Sequence, residues 1–291
     1  MKAFQKKSSV SSGPVSFRAA LKKDLKKNSF AYLLIVPVLL WYLVFCYAPM
    51  WGILLSFKDY KPLLGFAGSK WVGLKHFRDF LSGPYFFRTI KNTLMLNVWG
   101  LAFGFTSPIL LALLLNEVKS MKFKKVVQTI TYMPHFISIV VLVGMMSSFF
   151  SPQSGFVNTA IKALGGEPVY FMGSENWFRH MYVWSGVWQG AGWGSIIYLA
   201  ALTGVSPELH ESAMIDGANK LQRIWHIDLP AIMPTMAILL ILNCGSIMGG
   251  DTQKALLLQT GSNTATSDII GVYVYNVGLG QAKYSYTAAI G

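Results

Sequence analysis

The chain reads as an all-α, polytopic helical membrane protein, and three observations point there. Of its 291 residues, 53% are hydrophobic and only 13% charged, about half the roughly 25% charged share of soluble domains. Apolar runs that match the ~20 residues a helix needs to cross a bilayer recur along the chain. The basic residues gather between those runs, as membrane topology signals do. That placement also excludes nucleic acid as the purpose of the +13 net charge.

Residues 1–29 form a basic tail carrying Lys2, Lys6, Lys7, Lys22, Lys23, Lys26 and Lys27. The apolar run from Phe30 to about Leu55 predicts a first transmembrane span, bounded at 30–57. It is too long for a signal h-region and lacks a small-residue cleavage site, so it is expected to be retained. Pro37 and Pro49 lie inside it, tolerable where neighbouring helices compensate the lost hydrogen bonds. Residues 58–92 mix Trp71, Phe77, Phe80, Tyr85 and Phe86 with Lys70, Lys75, Arg78 and Arg88. Two readings fit this external segment equally: a helix lying in the interface, or a loop with an aromatic belt.

The rest, 93–291, is the core transmembrane domain. Spans are expected over 93–115, 126–150, 181–203 and 231–249, with the basic loop Lys119, Lys122, Lys124 and Lys125 after the first of these. Turn residues including Gly165-Gly166 fill the loop after 150, and residues 251–282 are polar. The stretch from Tyr284 to Ile290 reads as the first turns of another span. Five spans are therefore expected, with a sixth truncated. Cys46 and Cys244 lie far apart in apolar runs without a CxxC spacing, and read as small core hydrophobes. With the N-terminus inside, the inner segments 1–29, 116–125 and 204–230 hold the larger share of Lys and Arg, so a cytoplasmic N-terminus is expected.

Between two apolar spans lies a polar island, PELHESAMIDGANKLQRIWHIDLPAIMP. Ser206 can cap a helix, Pro207 suits its first position and Glu208 faces its positive end. That helix is expected to run to about Ile215 and break at Asp216-Gly217, where Gly takes a left-handed conformation. A second helix through Asn219, Arg223 and Trp225 is expected to stop near Leu229-Pro230. Two short angled helices make a knob that can sit in a partner's groove and pass on a rigid-body movement.

The order Glu211-Ser212-Ala213, Ile215-Asp216-Gly217-Ala218, Ile227 and Leu229-Pro230 resembles the EAA coupling motif of ABC-importer permeases. Ser212 replaces the usual Ala, and Trp225 a common Phe. Three other stretches resemble the sugar-permease branch associated with complex oligosaccharides and polysaccharides. They are Trp188 to Gly194, Tyr132-Met133-Pro134-His135-Phe136-Ile137-Ser138, and Ser151 to Asn158. The likeness spans roughly 28–250 and weakens at Gly249 to Gln253, where relatives show a Gly-Phe-Glu-like run. It implies the type I ABC-importer permease fold in a bacterial inner membrane, with 206–230 as the coupling loop. Glu211, Ser212, Ala213, Asp216, Gly217, Ala218, Leu229 and Pro230 would then meet a separate ATPase. The implied partners are a second permease (a heterodimer), ATPase subunits, an extracellular or periplasmic solute-binding protein, the sugar and membrane lipid. No cofactor is implied on this chain, since ATP and Mg belong to the ATPase.

For the solute path, Trp184, Trp188 and Gln189 share one helical face, with Trp193 a turn further. Aromatic rings beside an amide suit sugars, but belt placement and packing through Gly186, Gly190, Gly192 and Gly194 explain them as well. Asn97 and Asn243 sit inside apolar runs, where an amide must find a partner; each could line the path or bridge helices. His135 reads as a buried, hydrogen-bonded histidine. No catalytic constellation exists: there is no GxxxxGK[ST] loop, HExxH, GxSxG or paired carboxylate within a span, so neither enzymatic nor metal chemistry is expected. The rival classes are a secondary transporter, which needs an intramembrane ionisable pair, a membrane scaffold, and an importer permease for amino acids, peptides or ions.

Overall fold

The computed structural model describes residues 17–291; Lys2, Lys6 and Lys7 of the basic tail lie outside the described residues. The chain divides into two compact units, up to Leu55 and from Ser56 to Gly291.

In the first unit α1 (Phe17–Lys27) ends on Lys26 and Lys27, cations placed at the negative helix end. The next helix, α2 (Ser29–Tyr42), contains Pro37 and continues through a π turn at Leu43–Tyr47 into a 3-10 stretch at Ala48–Phe57. Pro49 explains that change of winding: it has no N–H to donate, and its ring presses on the carbonyl four residues back. Together these stretches make one apolar helix, Ser29–Phe57, with none of its most apolar window buried within the chain. Its side chains therefore require lipid or another subunit around them.

The second unit opens with a short antiparallel pair, β1 (Lys58–Asp59) with β2 (Lys70–Trp71), around α3 (Gly65–Gly68). The seven-residue α4 (Lys75–Leu81) follows. Neither sequence expectation for this segment describes it fully, because its aromatic residues divide between an inner cluster and the surface. Phe80 is buried and meets Phe86, Tyr273 and Tyr286 edge-on or tilted, whereas Trp71 and Tyr85 are exposed. Ser285 Oγ accepts from the Tyr60 amide at 2.8 Å, fastening the segment to the chain's last residues.

The long helix α5 (Phe86–Asn116) spans 31 residues, roughly 46 Å at about 1.5 Å per residue, and starts earlier than residue 93. The predicted 126–150 span is two helices, α6 (Met121–Tyr132) and α7 (Ile139–Phe149), bent by 102°. The Met133–Phe136 turn carries Pro134 at its start, Ile137 goes extended, and Ser138 caps α7 by accepting from the Val141 amide. A restrictive proline followed by a new cap ends one helix and begins another. His135, expected buried and hydrogen-bonded, is instead exposed and stacked on Trp193, 4.6 Å between centroids and 2° between planes. Beyond α7, α8 (Phe156–Ala163) is held by Asn158, whose amide donates to the Phe150, Ser151 and Val169 carbonyls and accepts from the Val169 amide.

The 28-residue α9 (Glu175–Leu202) is the central helix. Its close approaches occur at glycines: a Cβ on Gly192 would stand 1.9 Å from the Thr131 carbonyl oxygen, and one on Gly194 2.9 Å from Pro108 Cγ. One apolar core joins Leu96, Leu142, Met146, Phe178 and Val183 to Leu258 and Val272; a second joins Ile109 and Leu113 of α5 to Tyr198, Leu202 and Ile232. By length and composition, three helices among the described residues can cross a membrane, Ser29–Phe57, Phe86–Asn116 and Lys220–Cys244, with the bent pair as a fourth. α9 is long enough, but its Gly, Ser, Gln and Trp content sets it apart from these. Cys46 and Cys244 are free and exposed, which corrects their reading as core residues.

Candidate functional site: a capped helix pair and a polar cavity

The island folds as α10 (Pro207–Ile215) and α11 (Lys220–Arg223). Ser206 occupies the cap position without a side-chain bond, and Pro207 and Glu208 fill the first turn. Termination follows chain chemistry. Gly217 has φ +82°, its amide donates to Met214 O at 3.1 Å, and Ala218 N donates to Ala213 O at 2.8 Å. This pair of bonds satisfies the last carbonyls of α10 and sets the angle at which the chain leaves. The next helix starts on a capping box: Asn219 Oδ1 accepts from Gln222 N at 2.9 Å, and Gln222 Oε1 accepts from Asn219 N at 2.7 Å.

Here the structure departs from the sequence expectation. The second helix does not stop at Leu229-Pro230: a π turn at Ile224–Asp228 carries α11 into α12 (Leu229–Cys244), giving 25 continuous residues, Lys220–Cys244. Pro230 falls in the first turn of α12, and the wider π turn before it relieves the missing N–H. From Lys220 on, the polar island and the span beyond it are thus one rod.

Glu211, Ser212, Asp216, Gly217 and Pro230 are exposed, while Ala213, Ala218 and Leu229 are half-buried. Leu209, Met214, Ile215, Leu221 and Trp225 are also exposed, Ile215 at 86%, an apolar set on a polar segment that marks an interaction surface. A cleft of about 310 Å³ lies between the two helices, lined by Ala213, Asp216, Gly217, Ala218, Gln222 and Arg223 among others. Two contacts between residues distant in sequence brace the pair. His210 Nε2 lies 3.2 Å from Oδ1 of the fully buried Asp228, and Arg223 Nη2 lies 3.7 Å from Glu117 Oε2 just past α5. Sequence reasoning missed Asp228, His210 and Glu117, because nothing local pairs residues 18 or more positions apart.

A second feature is a cavity of about 480 Å³ between α5, α9 and α12, to which Asn97, Gln189 and Asn243 all contribute. Gln189 Nε2 donates to the Ile137 carbonyl at 2.7 Å, satisfying backbone at the α6–α7 bend, and Asn243 Nδ2 donates to Leu239 O at 2.7 Å. Trp184 and Trp188 are placed elsewhere, in a separate cavity of about 480 Å³ lined by Met145, Phe149, Phe171, Trp177 and His180. The face predicted to unite Trp184, Trp188 and Gln189 is therefore split between two cavities. Sequence reasoning also missed Tyr182, Asp251 and Lys254 in the polar cavity. Tyr182 comes from α9, whereas Asp251 and Lys254 come from the start of α13 (Thr252–Leu258), whose preceding loop is pinned where Tyr182 Oη accepts from the Asp251 amide at 2.9 Å. The remaining segments are α14 (Thr264–Ser267), α15 (Ile270–Tyr275) and α16 (Tyr284–Ala288). Asn92 of α5 holds the first of them by donating to the Ala265 and Asp268 carbonyls.

Residues 104–291 match the family model described as the binding-protein-dependent transport system inner membrane component. The chain belongs to that family. It is 45% identical over 277 residues to Protein LplB of Bacillus subtilis (strain 168), covering 95% of this chain and 86% of LplB. It is also 45% identical over 274 residues to the polygalacturonan/rhamnogalacturonan transport system permease protein YteP of the same organism, covering 94% and 85%. Among solved structures, a chain of a bacterial ABC transporter involved in the import of the acidic polysaccharide alginate matches with TM-score 0.86. The identity there is 41%, over 93% of this chain and 91% of that one. The permease therefore has the type I ABC-importer fold, and its family assigns it transport rather than catalysis.

Proposed function

We propose that this permease conducts a sugar or oligosaccharide inward as one of two membrane subunits of an ATP-driven importer. Separate ATPase subunits dock on the exposed face of α10 and α11 and carry the ATP and Mg; an external solute-binding protein delivers the sugar. The N-terminus and the 206–230 loop face the cytoplasm, where ATP is available. The sugar class is supported by the polygalacturonan/rhamnogalacturonan and alginate transporters among its relatives. A solved alginate transporter in complex with a pentasaccharide-bound periplasmic protein, with a chain 42% identical to this one, supports the delivery step.

The observation that carries the reading is the single rod from Lys220 to Cys244, with α10 braced against it through His210 and Asp228. A push on the exposed helix pair reaches the span without a flexible joint between, which is how a rigid-body shift becomes a gate movement. Asn243, next to the last residue of the rod, lines the polar cavity. Glu211→Lys reverses the charge on the exposed face, and Gly217→Pro cannot adopt φ +82°. Each is expected to abolish sugar-stimulated ATP hydrolysis by the assembled transporter while the subunit stays inserted. Wild-type stimulation in both variants would sink the assignment.

A further inference from the structure

The polar cavity holds a charge that the coupling reading leaves unused. Lys254 is only 4% exposed, yet no carboxylate among the described residues lies within 4.0 Å of its ammonium. Its Nζ stands 4.9 Å above the centre of the Tyr182 ring. Gly186 leaves it room, since a Cβ there would come within 3.1 Å of Nζ. The near acid, Asp251, is exposed, and one of its oxygens accepts from the Lys254 backbone amide at 2.9 Å as the cap of α13. A buried cation without a partner destabilises a fold, and the aromatic face offsets only part of that.

Asn97 and Asn243 line the same cavity. A cavity lined by an ammonium and by amides matches a sugar whose ring carries a carboxylate among its hydroxyls. Resting on the sugar-permease reading above, we infer that Lys254 is the cationic subsite of the path and selects acidic, uronate-containing oligosaccharides over neutral ones. The carboxylate takes the place of the missing counter-ion, with Tyr182 as the wall beneath the ammonium.

The test is uptake by cells carrying the complete transporter with its binding protein. The probes are trigalacturonic acid and its neutral, carboxyl-reduced counterpart, galactotriose. Lys254→Met is expected to lower uptake of the acid by about tenfold or more and to leave the neutral sugar within about twofold. Lys254→Arg should retain most acid uptake. Gly186→Ala, which crowds the ammonium without removing it, should show the same selectivity in weaker form, and serves if the Met variant fails to insert. Unchanged acid uptake in an inserted Met variant, or equal loss of both sugars, overturns the inference while leaving the sugar permease standing. A wild-type transporter that prefers the neutral sugar overturns it too. Uptake of neither sugar by the wild type overturns this inference and leaves the sugar reading, which is not confined to galactose-based chains, standing.

Discussion

Asp228 and Lys254 are both ionisable side chains withdrawn from water, and the fold treats them differently. Asp228 is given a facing imidazole, His210, and so braces two helices. Lys254 is left facing a cavity, and burial pushes its pKa down to about 8, partly offset by Asp251. An unfolded lysine titrates near ~10.4. Between those values the unfolded chain binds more protons, so stability rises as pH climbs from about 8 towards 10; below about 8 the penalty is constant. Lys254→Met should therefore stabilise the purified subunit at pH 7 by on the order of 1–3 kcal/mol, read as a higher thermal midpoint, and the advantage should shrink by pH 9.5. Midpoints at the two pH values check this, with Asp251 and Tyr182 as the titratable groups facing the ammonium. An advantage of equal size at both would contradict it. A residue whose removal stabilises the fold is kept for another reason, as functional sites commonly are.

At the scale of elements, the glycines of α9 divide by what surrounds them. Gly192 lies against the Thr131 backbone, which cannot yield as a side chain could, while Gly190 faces open space. Gly192→Val should cost about 3 kcal/mol or more in overpacking and deplete the folded subunit in the membrane; Gly190→Ala should be near neutral. Fluorescence-detected size exclusion of both variants decides this, and equal behaviour would contradict it. The contrast also shows what the sequence could carry. Apolar runs located the helices Ser29–Phe57, Phe86–Asn116 and the one ending at Cys244, because lipid leaves a crossing helix little choice, and the Gly217 turn was legible because few residues accept its φ. The 102° bend at Ile137 and Ser138 was hidden in one continuous apolar run. Leu229-Pro230 looked like a stop because proline normally ends a helix, whereas a π turn carries the winding past it. Lys254 sat in a stretch that read as polar loop, and only the packing of α13 against α9 reveals its burial.

For the whole molecule, the two features lie on one mechanical line. The exposed helix pair begins the rod, the polar cavity lies beside its other end, and α9 connects the cavity to the loop that leads into α10. Movement at one end must alter the other unless α12 bends, and its packing of Ile232 against α5 and α9 opposes bending. The proposed orientation agrees with charge: Lys119, Lys122, Lys124 and Lys125 precede and open α6, and a basic short loop favours the cytoplasmic side. In the proposed cycle, ATP hydrolysis on the loop side drives sugar through this chain. The direct measurement is uptake of a labelled oligosaccharide into proteoliposomes holding the complete transporter, with binding protein outside and ATP either inside or absent. Accumulation that requires internal ATP, and is lost with Gly217→Pro, is the predicted result. Uptake that proceeds without ATP on an ion gradient, or that survives Gly217→Pro unchanged, would contradict it.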